Sequence, residues 1–242
     1  MSEAVDVLAI GAHPDDVEIG CGGALILAAS SGHRVAVADL TDGEMATRGT
    51  PEQRVIERER AAAILGTCSR VSLGLADTGL GRDESHLAAV IGLIRDLRPA
   101  IVMAPHPHDR HPDHEAAGRL VRDACFFAGV GKMASGPAHR PRRLYEYMIH
   151  HPFLPTFVVD VTPVWTRRMA AVETYASQFG PGGSTEIGNS AFLDQIEARA
   201  RYFGAMIGAA RGEPFFCRGP LAVAQLPELD GQPGLATYRT YL

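Results

Sequence analysis

The chain has 242 residues, 46% of them hydrophobic and 21% charged, with a net charge of −5. That profile excludes disordered and fibrous classes and leaves ample length for a buried core. Without a long basic run, nucleic acid and anionic membrane surfaces are excluded as main partners, and no apolar stretch reaches the roughly 20 residues that span a bilayer. Met1-Ser2-Glu3-Ala4 lacks the basic segment of a secretion signal. Cys21, Cys68, Cys125 and Cys217 are scattered without CxxC spacing, as expected of buried small hydrophobes in a reducing cytoplasm.

In chain order, Val5 to Ile10 is a short apolar run that predicts a strand, and Gly22 to Ser30 a small-residue helix stopped near Gly32. Arg34 to Leu40 predicts a second strand. Pro51 opens a charged amphipathic helix that runs to Leu65 and ends at Gly66. Val71 to Leu75, His86 to Leu97 and Ala100 to Ala104 continue as strand, helix and strand, and a helix starting at Pro112 extends to Ala128. Strands separated by helices of this length imply right-handed crossovers and a parallel sheet covered on both faces. Beyond Gly129 the pattern loosens. Arg143 to Ile149, Phe157 to Val161 and Leu221 to Leu226 read as strands, and Pro163 to Gln178 and Asn189 to Ile207 as helices. No repeat and no convincing linker appears, so residues 1–242 are expected to form one domain, α/β and Rossmann-like, with a mostly parallel central sheet in three layers.

Two short motifs stand at matched positions, each beyond a predicted strand: His13-Pro14-Asp15-Asp16 and His111-Pro112-Asp113-His114. Ligands bind outside the carboxyl ends of such strands, so distant loops converge there. The first loop carries His, Pro and Asp where a pyrophosphate site would need glycines, and no GxGxxG or Walker pattern follows. Imidazole and carboxylate are the donors of a borderline divalent cation, and three protein ligands plus a water is the plan of a catalytic zinc site. His111 and His114, three apart, share a face at a helix start. Asp15 and Asp16 diverge as neighbours, so one is expected to coordinate and the other to stay free as a general base. Either motif alone could be no more than a helix cap; the pair at matched positions is not accounted for that way.

On these residues the chain resembles the LmbE/PIG-L family of zinc-dependent N-acetylglucosaminide deacetylases. The resemblance rests on Gly11-Ala12-His13-Pro14-Asp15-Asp16, Leu40-Thr41-Asp42-Gly43-Glu44, Arg54 with Glu57, and Asp109-Arg110-His111-Pro112-Asp113-His114. Tyr175-Ala176-Ser177-Gln178-Phe179, Tyr202-Phe203-Gly204 and Gly212-Glu213 are similar to the bacillithiol-biosynthesis branch. The resemblance implies His13, Asp16 and His114 as ligands of one Zn2+, Fe2+ being acceptable to the same donors, and Asp15 as general base toward an attacking zinc-bound water. It implies His111 for oxyanion stabilisation or leaving-group protonation, Asp113 orienting the His111 ring, and Arg54 and Tyr202 touching substrate. The implied substrate is an amino sugar, with N-acetylglucosaminyl-L-malate favoured over other GlcNAc or thiol conjugates. The implied assembly is a homo-oligomer, often a hexamer. A non-catalytic sugar-binding module is the rival, and a free Asp15 argues against it.

Other residues read more plainly. His106 and His108, interleaved with Pro105 and Pro107, form a loop wall; Arg58 and Arg60 lace a solvated helix; Trp165 packs; His150 and His151 are structural or interfacial.

Overall fold

A computed structural model describes residues 3–180 and 190–222. Seven strands form one sheet in the order β3-β2-β1-β4-β5-β7-β6. These are β1 (Val7–Gly11), β2 (Val35–Asp39), β3 (Ser69–Ser72), β4 (Ile101–Pro105), β5 (Arg143–Tyr147), β6 (Phe157–Asp160) and β7 (Gly212–Phe216). The first five pair in parallel, and β7 runs antiparallel between β5 and β6. The helices are α1 (Asp16–Ser30), α2 (Pro51–Leu65), α3 (Glu84–Leu97), α4 (Pro112–Phe127), α5 (Trp165–Glu173), α6 (Ala176–Phe179) and α7 (Ser190–Met206).

Strand alternation builds the layers. Val7, Ala9, Val35 and Val37 face one core with side chains of α1, α2, α5 and α7. Leu8, Ile10, Ala36 and Ala38 face a second core with α3 and α4. The three-layer α/β expectation holds. β1 lies between β2 and β4, so the chain winds outward through β3 and restarts at β4 on the other side. That switch point opens a crevice between the loops after β1 and β4, the two loops that carry the His/Asp motifs.

Several boundaries differ from the sequence expectation. Helix α1 begins at Asp16 rather than Gly22, because it is buried nearly all round and shows no polar face to betray its first turns. The long helix expected over Pro163 to Gln178 breaks into a 3-10 turn (Thr162–Val164), α5 and α6. At the break the Thr174 hydroxyl bonds back to Ala171 O and Tyr175 turns inward to donate to Glu18. Strand β7 was not anticipated: Glu213 and Pro214 disguise it. Glu213 is buried, accepting from Gly23 N and Ala24 N at 2.8 Å each, with Arg168 at 3.4 Å. Leu221 forms no strand, and most of the strand expected to Leu226 lies outside the described residues.

Cys21 and Cys217 are buried, Cys125 half-buried and Cys68 exposed, all as free thiols. Among the described residues no helix is long and apolar enough to cross a membrane.

Candidate metal centre and active site

The first motif is shaped by its backbone. A Cβ on Gly11, where β1 ends, would meet His13 O at 3.0 Å and the Asp16 Cβ at 3.1 Å, so the chain can turn back on itself there only without a side chain. The turn is closed by His13 N donating to Asp16 Oδ2 at 2.9 Å. Asp15 sits at φ 108°, a strained value for a non-glycine residue. This strain separates the neighbouring carboxylates. Asp16 turns into the protein, and Asp15 turns along the cavity wall beside Arg54, whose Nη2 donates to Pro14 O at 2.6 Å and lies 3.5 Å from Asp15 Oδ2.

Arg54 is itself held in place. It is buried on the first turn of α2, which carries a complete capping box between Thr50 and Gln53. Gly43 lies against it at φ +66°, where a Cβ would meet Arg54 Nη1 at 2.8 Å. Arg54 lines the cavity, and one arm of its guanidinium serves the loop of the first motif.

The second motif starts α4. His111 is the N-cap residue, and its Nδ1 accepts from Asp113 N at 3.2 Å. The Asp113 carboxylate does not orient the His111 ring, contrary to the sequence expectation. It accepts from Thr78 N at 2.7 Å and lies 3.4 Å from His13 Nε2. Side chains at positions i and i+2 of a helix start diverge, so only the backbone amide of Asp113 reaches His111. With Nδ1 occupied as an acceptor, Nε2 is the donor of a neutral His111 ring.

The rings of His13, His111 and His114 each present a nitrogen within 4.8 Å of the others. Asp16 Oδ1 is 3.1 Å from His114 Nε2, and Asp16 Oδ2 is 3.7 Å from His13 Nδ1. Donors at about 2.0–2.1 Å from one tetrahedral ion lie roughly 3.3 Å apart, which the 3.1 Å contact of Asp16 Oδ1 with His114 approaches, while His13 is faced by the other Asp16 oxygen. The donor set fits a divalent cation.

Electrostatics match this geometry. Burial lowers the His13 pKa, but Asp113, Asp77 and Asp16 outweigh it and bring it to about 10. His114 behaves likewise, rising to about 9 against burial through Asp16 and Asp109. The facing carboxylates favour positive charge at both rings, the place a cation would take. Burial works against ionised Asp16, yet His114 and His13 hold it well below the usual carboxylate range. Burial pushes Asp15 up to about 7, against the pull of Arg54. His111 is held below the ordinary imidazole value by burial and by the neighbouring rings.

A cavity of about 220 Å3 opens over these groups. Its walls include Asp77, Arg48, Gln178, Phe179, Phe192 and His150, none of them expected from the sequence. Asp77 lies 3.2 Å from His13 Nε2. His150, read as structural or interfacial, stacks on His114 with ring centroids 5.2 Å apart. Tyr202 is 64% exposed on α7 and is not among the lining residues, so the structure does not bring it to the site. His106 packs against Phe153 outside the cavity. Asp109 could have been noticed two residues before His111, since metal-ligating histidines commonly carry a carboxylate partner; Gln178 and Phe179 fall in a run that carried the family resemblance, and the other lining residues leave no local pattern.

The sequence profile described as "PIG-L: GlcNAc-PI de-N-acetylase" matches residues 8–125, which hold both motifs. Diacetylchitobiose deacetylase of Thermococcus kodakarensis is 33% identical over 218 residues, covering 84% of this chain and 79% of the relative. The chain belongs to the PIG-L family. Among other members, "Probable N-acetyl-alpha-D-glucosaminyl L-malate deacetylase 2" of Bacillus subtilis is 31% identical over 133 residues, covering 50% of this chain and 60% of its own. The solved structure of the conserved protein TT1542 from Thermus thermophilus superposes with a TM-score of 0.84 at 39% identity, covering 92% of this chain and 98% of its own. The two relatives named above with an activity are deacetylases, a 4-oxalmesaconate hydratase of Pseudomonas putida at 26% identity being of another class, and the hydrolase class extends to this chain with the 33%-identical deacetylase and the family.

Proposed function

We propose that the chain is a metal-dependent de-N-acetylase of a neutral N-acetylglucosamine derivative. The observation that carries the reading is Asp15: a carboxylate on the cavity wall, held apart from the metal donors by a strained backbone and poised near neutrality. A sugar-binding module has no use for such a group. His13, Asp16 and His114 are assigned as the ligands, because Asp16 lies close to both rings and brings the negative charge that balances a dication. Zinc, or iron(II) on the same donors, supplies a Lewis acid at the amide carbonyl and lowers the pKa of a coordinated water towards about 7.

The remaining work belongs to the chain. As the water oxygen adds to the carbonyl carbon, Asp15 takes its proton; as the C–N bond breaks, Asp15 returns that proton to the leaving nitrogen. Amide and water thereby become amine and acetic acid, whose remaining proton passes to the amine to leave ammonium and acetate. His111 donates from Nε2 to the developing oxyanion as a neutral ring, already oriented by the Asp113 amide. Arg54 fixes the Pro14 carbonyl and steadies ionised Asp15.

Charge on the walls supports a neutral aglycone. Among the described residues the cations lining the cavity are Arg48 and Arg54. Arg48 serves Gln178 O and Gly180 O, and Arg54 serves Pro14 O. Asp15, Asp16 and Asp77 add negative charge. A malate conjugate would bring two carboxylates to walls whose cations are already engaged. The relative named for diacetylchitobiose acts on a neutral sugar, which fits. The test is acetate release from N,N'-diacetylchitobiose, N-acetylglucosamine and N-acetylglucosaminyl-L-malate, after chelation and with zinc or iron(II) restored. Release independent of metal would sink the mechanism, and preference for the malate conjugate would overturn the neutral aglycone.

A further inference from the structure

We infer that Asp109 is a positioning residue that sets the tautomer of His114 and carries His150 onto the cavity wall, where His150 contacts a hydroxyl of the substrate. The His114 half stands by itself; the His150 half rests on the carbohydrate reading above.

Asp109 is buried in the loop between β4 and α4. Its Oδ1 accepts from His111 N at 3.0 Å and faces the Nδ1 atoms of His114 at 3.0 Å and His150 at 2.8 Å. Its Oδ2 accepts from His150 N at 2.9 Å and His151 N at 3.4 Å. One carboxylate thus ties the ligand-bearing start of α4 to the segment that follows β5. An ionised carboxylate only accepts, so both rings must present Nδ1–H to it. In a neutral imidazole that leaves Nε2 with its lone pair. On His114 this nitrogen is the one facing Asp16, where a metal ligand needs it.

His150 repeats the arrangement outside the assigned ligand set, although with Asp109 and His114 it forms a second group of donor atoms within 4.8 Å of one another. Its ring lies within 8° of parallel to His114, and His111 stacks on His114 as well, at 4.7 Å. His150 lines the cavity, and among the described residues its Nε2 makes no hydrogen bond, the ring's hydrogen bond being at Nδ1. The site therefore holds, beside the metal position, a hydrogen-bond acceptor whose tautomer is fixed by Asp109. A hydroxyl proton is the partner it suits, and a pyranose bearing an acetamido group carries hydroxyls next to the reacting bond.

Three measurements on the zinc-loaded protein decide the matter. Nitrogen-15 NMR of labelled histidine should show Nδ1–H on both His114 and His150; Nε2–H on either ring would overturn the proposal without any variant having to fold. Asp109→Asn, which loses the charge and sets an NH2 donor against the His150 and His151 amides, should weaken zinc about 10- to 100-fold in competition with a chelating dye, whereas His150→Ala should keep zinc affinity within about threefold, since its ring is outside the assigned ligand set. Unchanged zinc affinity in Asp109→Asn refutes the positioning role. Finally, adding N,N'-diacetylchitobiose should move the His150 Nε2 resonance. A shift supports the contact even if no acetate is released, and an unmoved resonance overturns it even if acetate is. Where acetate is released, His150→Ala should raise KM roughly tenfold, the cost of one lost hydrogen bond, with His150→Gln recovering part of it.

Discussion

Asp15 and Asp16 are the same residue type one position apart, and their environments send them to different chemistry. Asp16 faces two imidazoles and a backbone amide; Asp15 faces Arg54 and the cavity. Asp15→Asn is expected to reduce kcat by about 10²- to 10⁴-fold, the range for losing a general base, while zinc content measured by metal analysis stays near one per chain. His13→Ala and Asp16→Ala should instead lose the metal, and His111→Ala should keep it. Retention of stoichiometric zinc by Asp16→Ala would move the third ligand to His111, whose ring also lies within reach. The sequence made these residues visible because each motif packs several donor types into four positions. It could not show which partner each one meets. Asp113 was expected behind His111 and is found beside His13, a residue 100 positions earlier.

At the scale of elements, the site is the meeting of two helix starts. Helix α1 brings Asp16 and α4 brings His114, and each is pressed against the strand before it. On α4 the close approach is made at Gly118, where a Cβ would meet Pro105 O at 2.4 Å and Pro107 N at 3.0 Å. These are backbone atoms of β4 and its loop and have little freedom to move aside. Gly118→Ala should therefore destabilise by about 1–3 kcal/mol as overpacking does. It should also weaken zinc binding, because α4 is forced outward one turn from His114. Thermal melts and chelator competition check the two effects separately, and a fully stable, zinc-competent variant would refute the close packing. The caps of α2 and the turn of the first motif could be read locally. The early start of α1 and the whole of β7 could not, since both are defined by what surrounds them rather than by a pattern of their own.

For the molecule as a whole, the cation links loops from both sides of the switch point, so it should stabilise the fold it bridges. Zinc at about 100 times its dissociation constant adds roughly 2.7 kcal/mol, which for a chain of this size raises Tm by roughly 5–10 °C. Calorimetry with and without a chelator measures this; an unchanged Tm would place the metal outside the folded site. The α/β class, the parallel winding of the first four strands and the donor types at the two motifs were legible in the sequence. Periodicity, turn residues and side-chain chemistry are local properties and survive in one dimension. Only the tertiary structure decided that His150, Asp77 and Phe192 share the cavity, that Tyr202 does not, and that Asp109 serves His114 and His150 together. Such contacts join residues tens of positions apart through the packing of strands and helices, and no spacing along the chain encodes that distance.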